Sequence, residues 1–400
     1  MVDLPDDHFQ IKVGHGKSRR EVMRELGVAA GALGAMAGLA GCVGDDDDDD
    51  GNGADNGDDN GNGNGNGNGN GEAPAFQQVP LIPPPTSPLD MSVDPPEREV
   101  IMSTHDASTS FFDPTIGALH DAASQLGWEA TFTGPAGGFD VEEQVNGLES
   151  AVDSAPDAII TTVADPSAYN TVINRALDDG IDVVFYNTIS HSREEMTEEF
   201  GRPIAYTGQN QIAAGYVCGL EMAQRLDSED GSVTPGLSDP GHAALDDRVE
   251  GMIMALEQNS SVDINDPLNY TGDAGDGVGR IEDHLEANPD LLGIMGADAF
   301  TWFIGEAIEN MGMVGDVLGG GFDLTEETMN HIDNGVLEYT IGQDPYSQGY
   351  IPVHQVFAYL DRGMPAKDYP TGAEVVDEEG IDFAFDRAGR WGDLREYHGA

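Results

Sequence analysis

Basic residues are scarce in this chain. Lysine and arginine together number 17 in 400 residues, against 74 aspartates and glutamates, and the lysines are Lys12, Lys17 and Lys367 alone. A formal charge of −57 leaves no cationic surface for a polyphosphate, so nucleic acid and anionic membrane surfaces are poor partners. Cysteine is equally rare. If Cys42 serves as a lipid site, Cys218, inside the helical run Gln211–Leu226, has no disulfide partner and reads as a small buried residue. No apolar run is long enough for a permanent membrane span: Gly27–Leu39 is short and rich in small residues. What is abundant is acid. Such charge destabilises a compact state unless concentrated salt screens it, to a Debye length of roughly 3 Å at 1 M, so the composition reads as halophilic. The length fits two domains and a tether better than one core.

The leader runs from Ser18-Arg19-Arg20 through Gly27–Leu39 to Leu39-Ala40-Gly41-Cys42. It resembles a twin-arginine export signal ending in a lipobox, which implies removal of residues 1–41 and a lipid anchor on Cys42 at the outer face of the cell membrane. Asp45–Asp50, the Gly-Asn alternation through Gly71 and the proline-rich stretch Pro80–Pro96 follow. They bury too little apolar surface to fold, so residues 42–97 are expected to form a solvated tether.

From Glu99 onward β-rich runs alternate with amphipathic helical ones, the pattern of parallel sheets built from βαβ units. Two comparable α/β series emerge, and in such sheets ligands bind beyond the carboxyl ends of the strands. Two facing sheets would enclose a cleft. The strand-end positions are His105, Phe111, Phe112, Thr162, Asn187, Thr188, the Ser238–Asp247 loop with Asp246 and nearby Arg248, Asp298 followed one turn later by Trp302, Asp323 and Gln343. Aromatic faces with short hydrogen-bonding side chains suit a neutral polyhydroxylated ligand, a sugar or polyol. No metal or cofactor is implied: His242, Asp246 and Asp247 read as a capped helix start, and the glycine-rich loop Gly272–Gly279 lacks a P-loop lysine.

Phe111-Phe112, Gly134-Pro135 with Gln144 downstream, Asp165, Gly180-Ile181-Asp182-Val183-Val184, Gly241-His242-Ala243-Ala244-Leu245, Gly320-Gly321-Phe322-Asp323 and Gln343-Asp344-Pro345-Tyr346 occur in this order. Over residues 98–370 the chain resembles the type 1 periplasmic sugar-binding (ribose-binding-protein-like) family, here of haloarchaeal lipoprotein type. The resemblance implies two Rossmann-like lobes joined by three hinge strands, residues 98–209 with 343–368 and residues 210–342 with 369–400. It also implies a monomer that closes over a monosaccharide or polyol and delivers it to an ABC permease with its ATPase. Asn187-Thr188 stands where ribose binders carry Asp-Arg, and a second family arginine is replaced around Asp246, which argues against ribose itself. A receptor module feeding a sensor or taxis transducer is the nearer alternative. A carbohydrate-active enzyme is the farther one, since no constellation of residues argues for turnover.

Overall fold

The computed structural model describes residues 96–226, 230–365 and 367–399. The expected leader, Cys42 and all but the last two residues of the expected tether lie outside them. Strands β1 (Glu99–Ser103), β2 (Glu129–Thr133), β3 (Ala158–Thr161), β4 (Asp182–Tyr186) and β5 (Ala205–Gly208) form one parallel sheet in the order β2-β1-β3-β4-β5. Its central strands are almost wholly buried, as strands covered by helices on both faces must be. A second sheet takes β6 (Ser232–Leu237), β7 (Asp263–Ile264), β8 (Leu268–Asn269), β9 (Leu291–Gly296), β10 (Leu318–Phe322) and β11 (Tyr339–Gly342), with β6 pairing both β7 and β8. Two short strands complete them: β12 (Tyr369–Pro370) lies parallel to β5, and β13 (Glu374–Val376) antiparallel to β11.

Helices α1 (Asp113–Leu126), α2 (Val141–Ser154), α3 (Asn170–Asp178) and α4 (Arg193–Phe200) cover the first sheet, and α5 (Gln211–Arg225), α6 (Ala243–Asn259), α7 (Ala274–Ala287), α8 (Trp302–Met311) and α9 (Glu326–Asp333) the second. Helix α10 (Pro345–Arg362) returns to the first lobe, where Val353 and Val356 pack with Leu119 and Val100. The chain therefore crosses between lobes at Gly208–Gln211, Gly342–Pro345 and Pro370–Glu374. Tyr369 and Pro370 pair with Thr207 and Gly208, so the return to the first lobe runs past the expected limit at residue 368.

The last helix, α11 (Ile381–His398), belongs to both lobes instead of the second alone. Ile381 and Ala384 sit in the second lobe's core beside Met329 and Ile332. Farther along, Trp391 stacks on Tyr346 of α10 and Arg395 pairs with Asp113 of α1. Gly117 permits this approach: a Cβ there would lie 3.0 Å from the Arg395 amide nitrogen.

Glycines also set the packing of α5 on α6. A side chain at Gly215 would run into the backbone of Arg248, and one at Gly251 into that of Ile212. Their absence lets the two helices approach to backbone contact, which fixes Arg248 against the cleft.

Candidate functional site

The lobes meet along the carboxyl ends of both sheets. The amide of Ala243 donates to the carbonyl of Ala164 across the divide at 3.0 Å, and the rings of His105 and His242, one from each lobe, stand 4.9 Å apart edge to face. The structure is thus a closed form. Behind these contacts lies a chamber of about 70 Å³.

On the first lobe, Thr109 caps the turn that presents Phe111 and Phe112, accepting from the Phe111 amide at 3.3 Å. Phe111 and Phe112 pack edge to face at 4.9 Å, and His105 meets Phe112 at 5.6 Å. Phe139 and, from the second lobe, Phe300 add further apolar wall.

The polar wall is tied together across the hinge. Gln343 donates to Asp323 at 2.5 Å and accepts from Asn187 at 3.2 Å, while Asn187 also donates to Gln348 at 2.9 Å. Asn187 and Asp323 both hold positive φ, 56° and 73°, and Asp344 beside Gln343 does too. Strained backbone is concentrated where these side chains must be aimed inward. Burial pushes the Asp323 carboxyl up to about 6, against the opposing pull of Arg248 and Gln343.

Arg248 is buried, with Nε donating to Gln211 at 2.8 Å, one terminal nitrogen to the Ala297 carbonyl at 2.9 Å and the other to Gln209 at 2.9 Å. Its guanidinium lies 4.1 Å from the Phe322 ring centroid. Sequence comparison with ribose binders counted both family arginines as lost; the chain keeps one guanidinium on the chamber wall. Asp298 also reaches the wall, but its oxygens accept from the Ser238 amide (2.8 Å), the Tyr270 hydroxyl (2.8 Å) and the Phe300 amide (3.0 Å). It holds the ends of β6 and β9 together, and burial raises its pKa.

Of the twelve expected residues, nine line the chamber: His105, Phe111, Phe112, Asn187, Thr188, Arg248, Asp298, Asp323 and Gln343. Thr162 does not, because its hydroxyl accepts from Gln144 at 3.0 Å within the first lobe's core. Asp246 turns back along the rim to accept from the Gly241 amide at 3.1 Å. Trp302 packs edge-on against Phe303 at 4.4 Å and faces a second, outer chamber. Asp106, Thr109, Phe139, Ser238, Asp239, His242 and Phe300 line the inner chamber without having been singled out. Ser238, Asp239 and His242 lie in the strand-end loop flagged from sequence; Phe139 lies six residues beyond β2, where strand-end logic does not reach.

Two residues of the chamber wall carry polar atoms that the protein leaves unmet. Nδ1 of His105 and Nδ1 of His242 are buried without a hydrogen-bond partner. Burial pushes His105 down to about 4 and His242 well below its ordinary range, so both imidazoles are neutral near pH 7. Each neutral ring offers one donor and one acceptor. Among the described residues no group of three or more His, Cys, Asp or Glu is placed to hold a metal ion.

Residues 100–364 match the family described as periplasmic binding protein domain. The chain is 28% identical over 297 residues to the xylose/arabinose-binding protein of Sulfolobus acidocaldarius, covering 72% of each chain. Among solved structures it resembles an ABC transporter solute-binding protein from Agrobacterium vitis with bound D-fucose, at 25% identity and TM-score 0.67, covering 72% of this chain and 99% of that one. It also resembles a glucose-galactose binding protein from Geobacillus stearothermophilus, at 21% identity and TM-score 0.64, covering 71% and 98%. The two-lobed architecture is the type I periplasmic-binding fold.

Proposed function

The chain belongs to the periplasmic binding protein family, and on that premise we propose that it captures a monosaccharide or polyol between its lobes and delivers it to an ABC import permease. The family and these relatives are binding proteins, not enzymes, and they work outside the cytoplasmic membrane. One observation carries the ligand class: an interlobe chamber in which phenylalanine faces stand beside the hydrogen-bonding side chains of Asn187, Arg248, Asp323 and Gln343. A hydroxyl matched to one of these side chains is favoured over an unmatched one by about 1–3 kcal/mol, the cost of a buried polar group left without a partner.

Net charge decides against anions. Asp106, Asp239, Asp298 and Asp323 line the chamber with Arg248 as the sole arginine or lysine among the described residues, so a sugar phosphate or an uronate would meet uncompensated carboxylates. The sugars named for the relatives, xylose, arabinose, glucose, galactose and D-fucose, are neutral. Capture follows from population shift: the sugar binds one lobe, and contacts such as His242 and Asp323 from the other favour closure.

The proposal extends to location. A twin-arginine leader, removed at Cys42, and an acyl anchor on that cysteine would hold the monomeric binding domain outside the membrane on the acidic tether, in molar salt that screens its charge. Thermal-shift screening of residues 96–400 in multimolar salt against aldoses, polyols, amino acids and nucleosides tests the function. A rise in melting temperature with one neutral sugar or polyol class, without its consumption, is expected. A response confined to amino acids or nucleosides would overturn the ligand class, and consumption of the sugar would overturn the binding role.

A further inference from the structure

A larger chamber of about 470 Å³ adjoins the inner one of about 70 Å³. Asp106, Thr109, Phe139, Asp239, Ala299 and Phe300 line both, so the two share a wall. Beyond the shared wall, the outer chamber adds Trp302, Ser108, Ser110, Thr325, Asp273 and Glu327.

Two properties of this space bear on ligand size. It persists in the closed form: the Ala243–Ala164 hydrogen bond and the His105–His242 contact hold the lobes together while the outer chamber remains open to solvent. A substituent on a ring held in the inner chamber would enter this space past the shared Phe139 and Phe300, with the lobes still together. Its chemistry also repeats that of the inner chamber. Phe139, Phe300 and Trp302 offer apolar faces, hydroxyls and carboxylates stand between them, and among the described residues no lysine, arginine or histidine lines it. Aromatic faces flanked by acceptors suit a second uncharged sugar ring, and the carboxylates disfavour an acidic one.

We infer that the outer chamber is a second subsite for a neutral glycosyl unit, so that the protein takes neutral disaccharides bearing its preferred sugar as well as the free monosaccharide. This rests on the sugar-binding reading above. It adds to that reading a ligand class defined by the size and charge of the substituent. Trp302, which the sequence placed among the ligand residues, acts here on the outer ring.

The test is isothermal titration of residues 96–400 in multimolar salt, pairing xylose with xylobiose, glucose with cellobiose and maltose, and galactose with lactose, plus cellobiouronic acid as the acidic counterpart. For the preferred sugar, the matching disaccharide is expected to bind within tenfold of the monosaccharide or more tightly, and the acidic disaccharide at least a hundredfold more weakly than the neutral one. Trp302→Ala should lower the ratio of disaccharide to monosaccharide affinity at least fivefold, with Trp302→Phe restoring most of it. If a free monosaccharide binds but none of its disaccharides does, the subsite is refuted while sugar binding stands. If no sugar of any size binds, the sugar reading itself fails and the subsite with it. Equal binding of neutral and acidic disaccharides would refute the charge argument.

Discussion

Gln343 lies on a segment that crosses between the lobes, and its side-chain amide donates to Asp323 of the second lobe at 2.5 Å while its carbonyl accepts from Asn187 of the first at 3.2 Å. The hinge thus reports on both halves of the chamber through one side chain. Asp323 is buried, and its raised pKa means that ionisation is disfavoured there by loss of water.

Asp323→Asn separates binding from stability. The amide keeps an oxygen for Gln343 and removes a desolvated charge. Sugar affinity at pH 7.5 is expected to fall at least 30-fold, about 2 kcal/mol, the scale of a hydrogen bond to a charged group. The melting temperature without ligand should hold or rise. Because the folded pKa, about 6, lies above the ordinary 3.8, the stability linked to this group is greatest below pH 3.8 and is lost as the pH rises through 6. The variant should lack that component, and titrations across pH 4–8 measure it.

The histidine pair has the opposite sign. His105 is held near 4 against an ordinary 6.5, so as pH falls from 6.5 toward 4 an exposed imidazole gains a proton that the buried one refuses, and stability is lost. His242, Arg248 and Asp106 are the charged or titratable groups acting on it, the first by contact and the others through their fields. His105→Gln should therefore gain in melting temperature relative to the parent chain as buffer is taken from pH 7 to pH 5. A difference that stays constant with pH would show that His105 is not buried as described.

Gly215→Ala tests the packing that places Arg248. The added methyl meets the Arg248 backbone, and parting α5 from α6 should cost about 2–3 kcal/mol, as overpacked cores do. Denaturant unfolding in molar salt measures the loss. Sugar affinity should drop with it, since Arg248 is carried on the displaced helix.

The straddling helix α11 is integral to the second lobe's core. Ile381 is 3% exposed and packs with Met329 and Ile332, so Ile381→Ala should destabilise by about 2–4 kcal/mol. An effect under 0.5 kcal/mol would place α11 outside the cooperative unit.

The sequence made the alternation of strands and helices legible because β1, β3 and β4 are apolar runs and α2, α3 and α8 carry clear stripes. Where the text failed, local chemistry hid the element. Helix α7 begins at Ala274, inside the run Gly272–Gly279 that reads as a glycine-rich loop, because Gly275, Gly277 and Gly279 mask its first turns; Asp273 caps it. β6 continues to Leu237 through Pro235 and Gly236, residues that read as a turn. Helix α4 has Met196 and Phe200 as its apolar contacts, and its one local signal is the Ser192–Glu195 capping box. Helix α11 divides its contacts between two lobes, so no single stripe marks it.

The candidate site was legible where a side chain follows a strand directly, as with His105, Asn187 and Asp323. Thr162 and Asp246 misled because equally good internal partners, Gln144 and the Gly241 amide, were invisible in one dimension. Phe139 and Phe300 enter from loops whose path only the packed lobes define.

A crystal structure of residues 96–400 grown in high salt with the best-binding sugar tests the central claim most directly. The account predicts one pyranose or furanose ring in the inner chamber, against Phe111 or Phe112, with hydroxyls within hydrogen-bonding distance of Asp323, Arg248 and at least one of Asn187 and Gln343. A sugar bound elsewhere, with this chamber holding only water, would contradict it.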